Sequence, residues 1–151
     1  MKPLITTLIL LFTLGSYAQI DKRKMQERIE AQKTAFITKQ LDLTVAEAEK
    51  FWPVFNAFEA TIKAIKTKDI RPIKKQMFNS ETLSEVEAGK LLTQLINAET
   101  KIHNAKLQLV SDLKDIISPV KILKLKAAED RFNKKLIERL KNMRERRQNK
   151  N

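Results

Sequence analysis

LDLTVAEAEKFWPVFNAF, residues 41 to 58, reads as the start of a helix followed at once by its apolar face. The Thr44 hydroxyl can accept from the free amide of Glu47, and the Glu47 carboxylate can reach back to the Thr44 amide, so the pair forms a capping box. Leu43, just outside the cap, faces Ala48 as a weak hydrophobic staple, and the preceding helix must therefore end near Asp42. Beyond the cap, Phe51, Trp52, Phe55, Phe58, Ile62 and Ile65 recur at spacings of three and four, which puts them on one helix face. Phe51, Trp52, Phe55 and Phe58 are the expected anchor of the core. Pro53 lies well inside this pattern, where its missing amide frees the Glu49 carbonyl and should bend the helix.

The first residues stand apart from the fold. A single early lysine, an apolar run from Leu4 to Leu14 and the small residues Ser16 and Ala18 read as a secretory signal peptide over residues 1–18, cleaved after Ala18. The run is shorter than the roughly 20 residues that span a bilayer. An exported, periplasmic location follows as an expectation. The chain has no cysteine, so disulfides, thiolate nucleophiles and a lipidated cysteine anchor are all excluded, and packing alone must hold it.

Without residues 1–18 the chain keeps 133 residues, enough for a single helical domain over 19–147 with a frayed basic tail over 148–151. Gly89 is then the one remaining glycine, which leaves few positive-φ turns and favours long helices over hairpin-rich β structure. The fold class is all-α.

Four helices are expected. The first, Ile20 to Gln40, carries a narrow stripe of Met25, Ile29, Phe36 and Ile37, and the second runs from Val45 to about Lys68. From Asp69 to Thr82 the periodicity fails at Pro72, Asn79 and Ser80, which reads as the one real loop, with room for a short turn at Lys74, Lys75, Met77 and Phe78. A second capping box, Ser84 to Glu87, opens a third helix reaching about Ile116, close to 50 Å long at 1.5 Å per residue. Its stripe of Ala88, Leu91, Leu95, Ala98, Ile102, Ala105, Leu109, Leu113 and Ile116 approaches a heptad coiled-coil seam. Ser118 can cap a fourth helix and Pro119 suits its first position; Val120, Leu123, Ala127, Phe132, Leu136, Leu140 and Met143 form its expected apolar side. The layout is an elongated four-helix arrangement of two helical hairpins with turns at Leu43-Thr44 and Ile117-Ser118. Its thin helices carry more apolar face than one chain can cover, so a homodimer is expected.

Charge is unevenly spread. The net charge without residues 1–18 is +11, and +8 of it lies between Ser118 and Asn151. Such basicity in a cytoplasmic protein would point to nucleic acid. With an export signal the expected partners are instead unfolded or acidic proteins, or a membrane-associated regulator, with no nucleic acid. Lys121, Lys124, Arg131, Lys135, Arg139 and Arg144 on the fourth helix are the candidate partner-binding residues. A membrane-surface role for this helix is weaker, because it mixes in acids and has Phe132 as its one aromatic.

Catalytic chemistry finds little to work with: one histidine, no cysteine and no glycine-rich phosphate loop. His103 lies one turn after Glu99, a spacing at which two side chains could share a metal ion, but such a pair is more often an ordinary surface contact. No metal and no cofactor is expected.

Leu43-Thr44-Val45-Ala46-Glu47 resembles the LTxxQ motif of periplasmic proteins related to Spy and CpxP, with Glu47 in the glutamine position. The second copy would fall at Ile117-Ser118-Pro119-Val120-Lys121, with Lys121 in that position. KTAFITKQLDLT, EAEKFWPVFNAFE and PVKILKLKAAEDRF are similar to a branch of that family named sensors of an ECF-type sigma factor. The resemblance implies an all-helical, elongated, often dimeric periplasmic protein. Two roles follow from it: an ATP-independent chaperone for non-native proteins, or a sensor that reports envelope stress to a sigma factor and anti-sigma factor. Some relatives sense metals through histidine-rich sites, which a chain with only His103 does not match. Thr44, Glu47, Ser118 and Pro119 are then structural residues.

Overall fold

The computed structural model describes residues 23–78 and 83–149; the expected signal peptide lies outside them. All-α is the observed class, with no strand among the described residues. Helix α1 spans 23–41, α2 Val45–Ile65, α3 Arg71–Met77, α4 Glu85–Leu113 and α5 Pro119–Gln148. The chain divides into two compact units, one of 23–42 with 125–149 and one of 43–124.

Local chemistry sets most of the boundaries. Asp42 adopts φ of 50°, a left-handed conformation that stops α1 after residue 41. α2 starts at the Thr44 cap and remains α-helical through Pro53. α4 starts at the Ser84 cap and ends at Leu113, three residues short of the expected Ile116. At the start of α5 the Ser118 Oγ accepts from the Lys121 amide at 3.4 Å, and the Ser118 carbonyl accepts from Ile122 at 3.1 Å.

The expected loop from Asp69 is not a loop. Helical structure continues from α2 through a π turn, Lys66–Ile70, into α3, so only 79–82 of that stretch fall outside the described residues. Within the π turn the Arg71 amide donates to the Lys66 carbonyl, five residues back. That one-residue insertion brings Ile65 and Ile70, spaced by five, onto one side, where both pack against the buried cluster of Ile73, Leu91 and Ala98. Pro72 directly follows the π turn, so its missing amide falls where the hydrogen-bond register changes from five residues back to four.

In the 43–124 unit, α2 and α3 lie antiparallel to α4. Asp69 accepts from the Lys101 ammonium at 2.8 Å, while Pro53 to Thr61 share a groove with Asp112 to Ala105. The seam of α4 is largely used here: Leu91, Ala98, Leu109 and Leu113 are buried, and Leu95, Ile102 and Ala105 partly so. The heptad-like spacing of α4 is thus taken up by packing within the chain.

In the other unit, α1 runs antiparallel to the later turns of α5. Arg131 donates to Gln40 at 3.3 Å and Arg139 to Gln32 at 2.7 Å, and between them the Phe36 and Phe132 rings lie 5.8 Å apart. Ile37, Leu41, Leu125, Ala128 and Phe132 are buried. The expected apolar side of α5 mixed two rows. The row of Val120, Leu123 and Ala127 is exposed and runs on to Asp130 and Lys134, whereas Leu125, Ala128 and Phe132 continue to partly buried Leu136 and Met143. Leu140 is exposed.

Candidate functional site

The two LTxxQ-like stretches meet. The Thr44 amide donates to Glu47 Oε2 at 2.8 Å and the Glu47 amide donates to Thr44 Oγ1 at 3.2 Å, completing the first box. The same Glu47 oxygen accepts from the Lys121 ammonium at 2.6 Å. Side-chain exposures of 20% for Lys121 and 22% for Glu47 place this pair in a half-sheltered position. The Lys121 hydrogen bond, and then the Thr44 amide, hold the Glu47 carboxyl below the usual carboxylate range. Glutamine at both positions would have given neutral partners; acid at one and base at the other give a charge-assisted bond between the starts of α2 and α5. Lys121 thus belongs to a structural clasp and not to an open basic face, which corrects its expected role.

Phe51 and Phe55, with exposures of 0% and 1%, are core as expected. Their rings stack with centroids 5.3 Å apart, and Trp52 meets both edge-on at 5.1 and 5.8 Å. Trp52 and Phe58 are only half-buried, at the border of the cluster. Phe58 lines an open groove of about 470 Å³ with Pro53, Val54, Ala57, Ala105 and Leu109.

The remaining candidate basic residues stay at the surface. Arg131 and Arg139 bond to the neutral side chains of Gln40 and Gln32, and the Lys135 ammonium sits 5.0 Å from the centroid of the Phe36 ring. None of these contacts cancels charge, so the positive field of this helix is retained while its geometry is fixed by α1. Lys124 and Arg144 are exposed. His103 and Glu99 are exposed on α4, and among the described residues no group of three His, Cys, Asp or Glu comes together to hold a metal ion.

An apolar groove of about 270 Å³ on the 43–124 unit was not anticipated. Met77, Leu83, Ala88, Leu91, Leu92 and Leu95 line it. Beside it in sequence, Phe78 is 88% exposed, and Lys74, Lys75 and Lys90 are exposed on the same two helices. Reading residues 69 to 82 as a loop concealed it, since α3 supplies one wall. The available signal was the Ile65, Ile70, Ile73, Met77 series, whose single step of five marks a π turn. The chain matches no protein-family model, no curated protein and no solved structure.

Proposed function

We propose that this chain is a non-enzymatic periplasmic envelope-stress protein of the Spy and CpxP type, binding non-native proteins as an ATP-independent chaperone. The observation that carries the proposal is the apolar groove between α3 and α4, with Phe78 exposed beside it and lysines on both helices. Non-native chains present apolar side chains next to polar and acidic ones. A shallow apolar groove with a basic surround takes the first by area burial and attracts the second by charge. The basic turns of α5, through Arg131, Lys135, Arg139 and Arg144, add long-range attraction for acidic clients. No nucleotide or metal takes part in this scheme.

The resemblance of the α1 to α2 stretch to the sigma-factor sensor branch favours a second reading, a regulatory protein with one membrane-associated partner and no general holding activity. Aggregation assays on several unrelated substrates, without nucleotide, separate the two. A chaperone suppresses aggregation of all of them at near-stoichiometric ratios. Its capture slows as salt shortens the Debye length from about 10 Å at 0.1 M to about 3 Å at 1 M, without vanishing. Absence of suppression on every substrate would overturn the chaperone proposal and leave the sensor.

A further inference from the structure

Six Lys and Arg but one acid lie between Lys63 and Phe78, in the segment that runs from the end of α2 through the π turn into α3. The π turn sorts them. With 3.6 residues per turn in the α segments and about one turn for the step from Ile65 to Ile70, Lys63, Lys66, Arg71, Lys74, Lys75 and Phe78 share an arc of roughly 120°. Ile65, Ile70 and Ile73 occupy the other side, packed against Leu91 and Ala98 of α4. In an unbroken α-helix Lys66, seven residues before Ile73, would lie only about 20° from it, on the packed face. The acid goes the other way: Asp69 accepts from the Lys101 ammonium of α4 at 2.8 Å. What remains outside is a stripe of five exposed cations with no acid among them, ending at Phe78, which is 88% exposed.

We propose that this stripe docks on an anionic lipid surface, with its cations against the headgroups and Phe78 inserted between them. Five charges spread over about 20 Å of helix suit a sheet of phosphates better than a single bound anion. Lysine and arginine stems can lie along such a surface while their charged heads reach the headgroups, and an aromatic ring at headgroup level adds an apolar anchor. An acidic peptide would need recesses for its side chains, and neither apolar groove of this unit is lined by a residue of the stripe. The attachment is peripheral, since no helix among the described residues is long and apolar enough to cross a membrane. Helix α5, though more basic in total, is less suited: its exposed side interleaves Asp130, Glu138 and Glu145 with its cations.

Vesicle co-sedimentation of the full purified chain, with no client present, tests this independently of the chaperone reading. The parent should pellet with vesicles of phosphatidylglycerol mixed into phosphatidylcholine, stay in solution with phosphatidylcholine alone, and be released by high salt. A Lys63→Gln, Lys66→Gln, Arg71→Gln variant, which leaves both grooves intact, should bind about a hundredfold more weakly. The same charge loss on α5, by Lys124→Gln, Lys134→Gln and Lys141→Gln, should leave binding within about threefold of the parent, because charges held away from the surface are screened. All six positions are exposed, so circular dichroism of both variants should remain that of the parent. Phe78→Ser, with every charge kept, should bind roughly tenfold more weakly. A parent that binds neither vesicle or both equally, equal losses in the two triple variants, or a Phe78 variant that binds like the parent would overturn the proposal. So would stripe-dependent binding to poly-glutamate without binding to vesicles, which would make the partner an acidic protein.

Discussion

The boxes at Thr44 and Ser84 are the same local device in two different settings. Each hydroxyl accepts from the amide three residues on, and each glutamate returns to the cap amide at 2.8 or 2.9 Å. Each carboxyl is held below the usual range. What differs is the third partner. Glu87 accepts a further bond from the hydroxyl of its own cap, at 2.7 Å, whereas Glu47 accepts one from Lys121, 74 residues away. In both helices the first buried residue lies seven after the cap, Phe51 in α2 and Leu91 in α4, but α2 buries a second large ring, Phe55, one turn later, whereas α4 buries nothing more until Ala98. The same cap can end a local instruction or open a tertiary one, depending on what lies within reach of its carboxylate.

Breaking the aromatic start of α2 gives the largest effect. Phe51→Ala should cost about 3 to 5 kcal/mol, the usual range for emptying a packed aromatic site. Leu91→Ala, at the more open groove of α4, should fall near the lower end of the roughly 2 to 5 kcal/mol range for leucine. Chemical denaturation of both variants checks the order; a Leu91 variant as damaged as the Phe51 variant would erase the distinction between the two helix starts.

Removing the caps should give a smaller effect. Thr44→Ala and Ser84→Ala should each lose about 1 kcal/mol. The difference between the boxes lies in coupling: a double-mutant cycle of Glu47→Gln with Lys121→Met should give a favourable interaction, and the same cycle with Glu87→Gln should give none. Equal coupling in both cycles would place the Lys121 contribution in the α5 cap instead of the Glu47 bond.

Acid should expose the smallest effect. The folded carboxyl of Glu47 lies below its unfolded value of about 4.3, so its contribution is complete above that pH and is lost as pH falls through the folded value. Glu87 follows the same sign. Glu47→Gln should therefore flatten the acid limb of a stability-versus-pH curve in the parent but leave it unchanged in a Lys121→Met background, apart from the part due to the Thr44 amide. Urea midpoints across the acid range measure this.

Whatever depended on neighbours in sequence was legible there. The caps at Thr44 and Ser84 and the cluster around Phe51 and Phe55 follow from spacings of three and four, and so does the all-α class. The course of α3 was hidden because the π turn converts a break in period into a continuous face, and Pro72 was read as an interruption when it begins a new segment. On α5, two apolar rows share the first turns, and only packing selects Leu125, Ala128 and Phe132 over Val120 and Leu123. Lys121 looked like a poor glutamine and a free cation; its role required knowing that Glu47 stood opposite. Of the candidate site, charge on α5 was countable, but the apolar groove required α3 to exist.

The most direct test of the chaperone proposal is aggregation suppression by a Met77→Ser, Phe78→Ser double variant beside the parent, at low and high salt. Both residues are exposed, at 48% and 88%, so the helical signal and denaturation midpoint should stay close to those of the parent. The account predicts that the variant loses most of its suppression at high salt, where charge attraction is screened, and keeps part of it at low salt. Suppression equal to the parent at both salt concentrations would contradict the assignment of the α3–α4 groove as the client-binding surface.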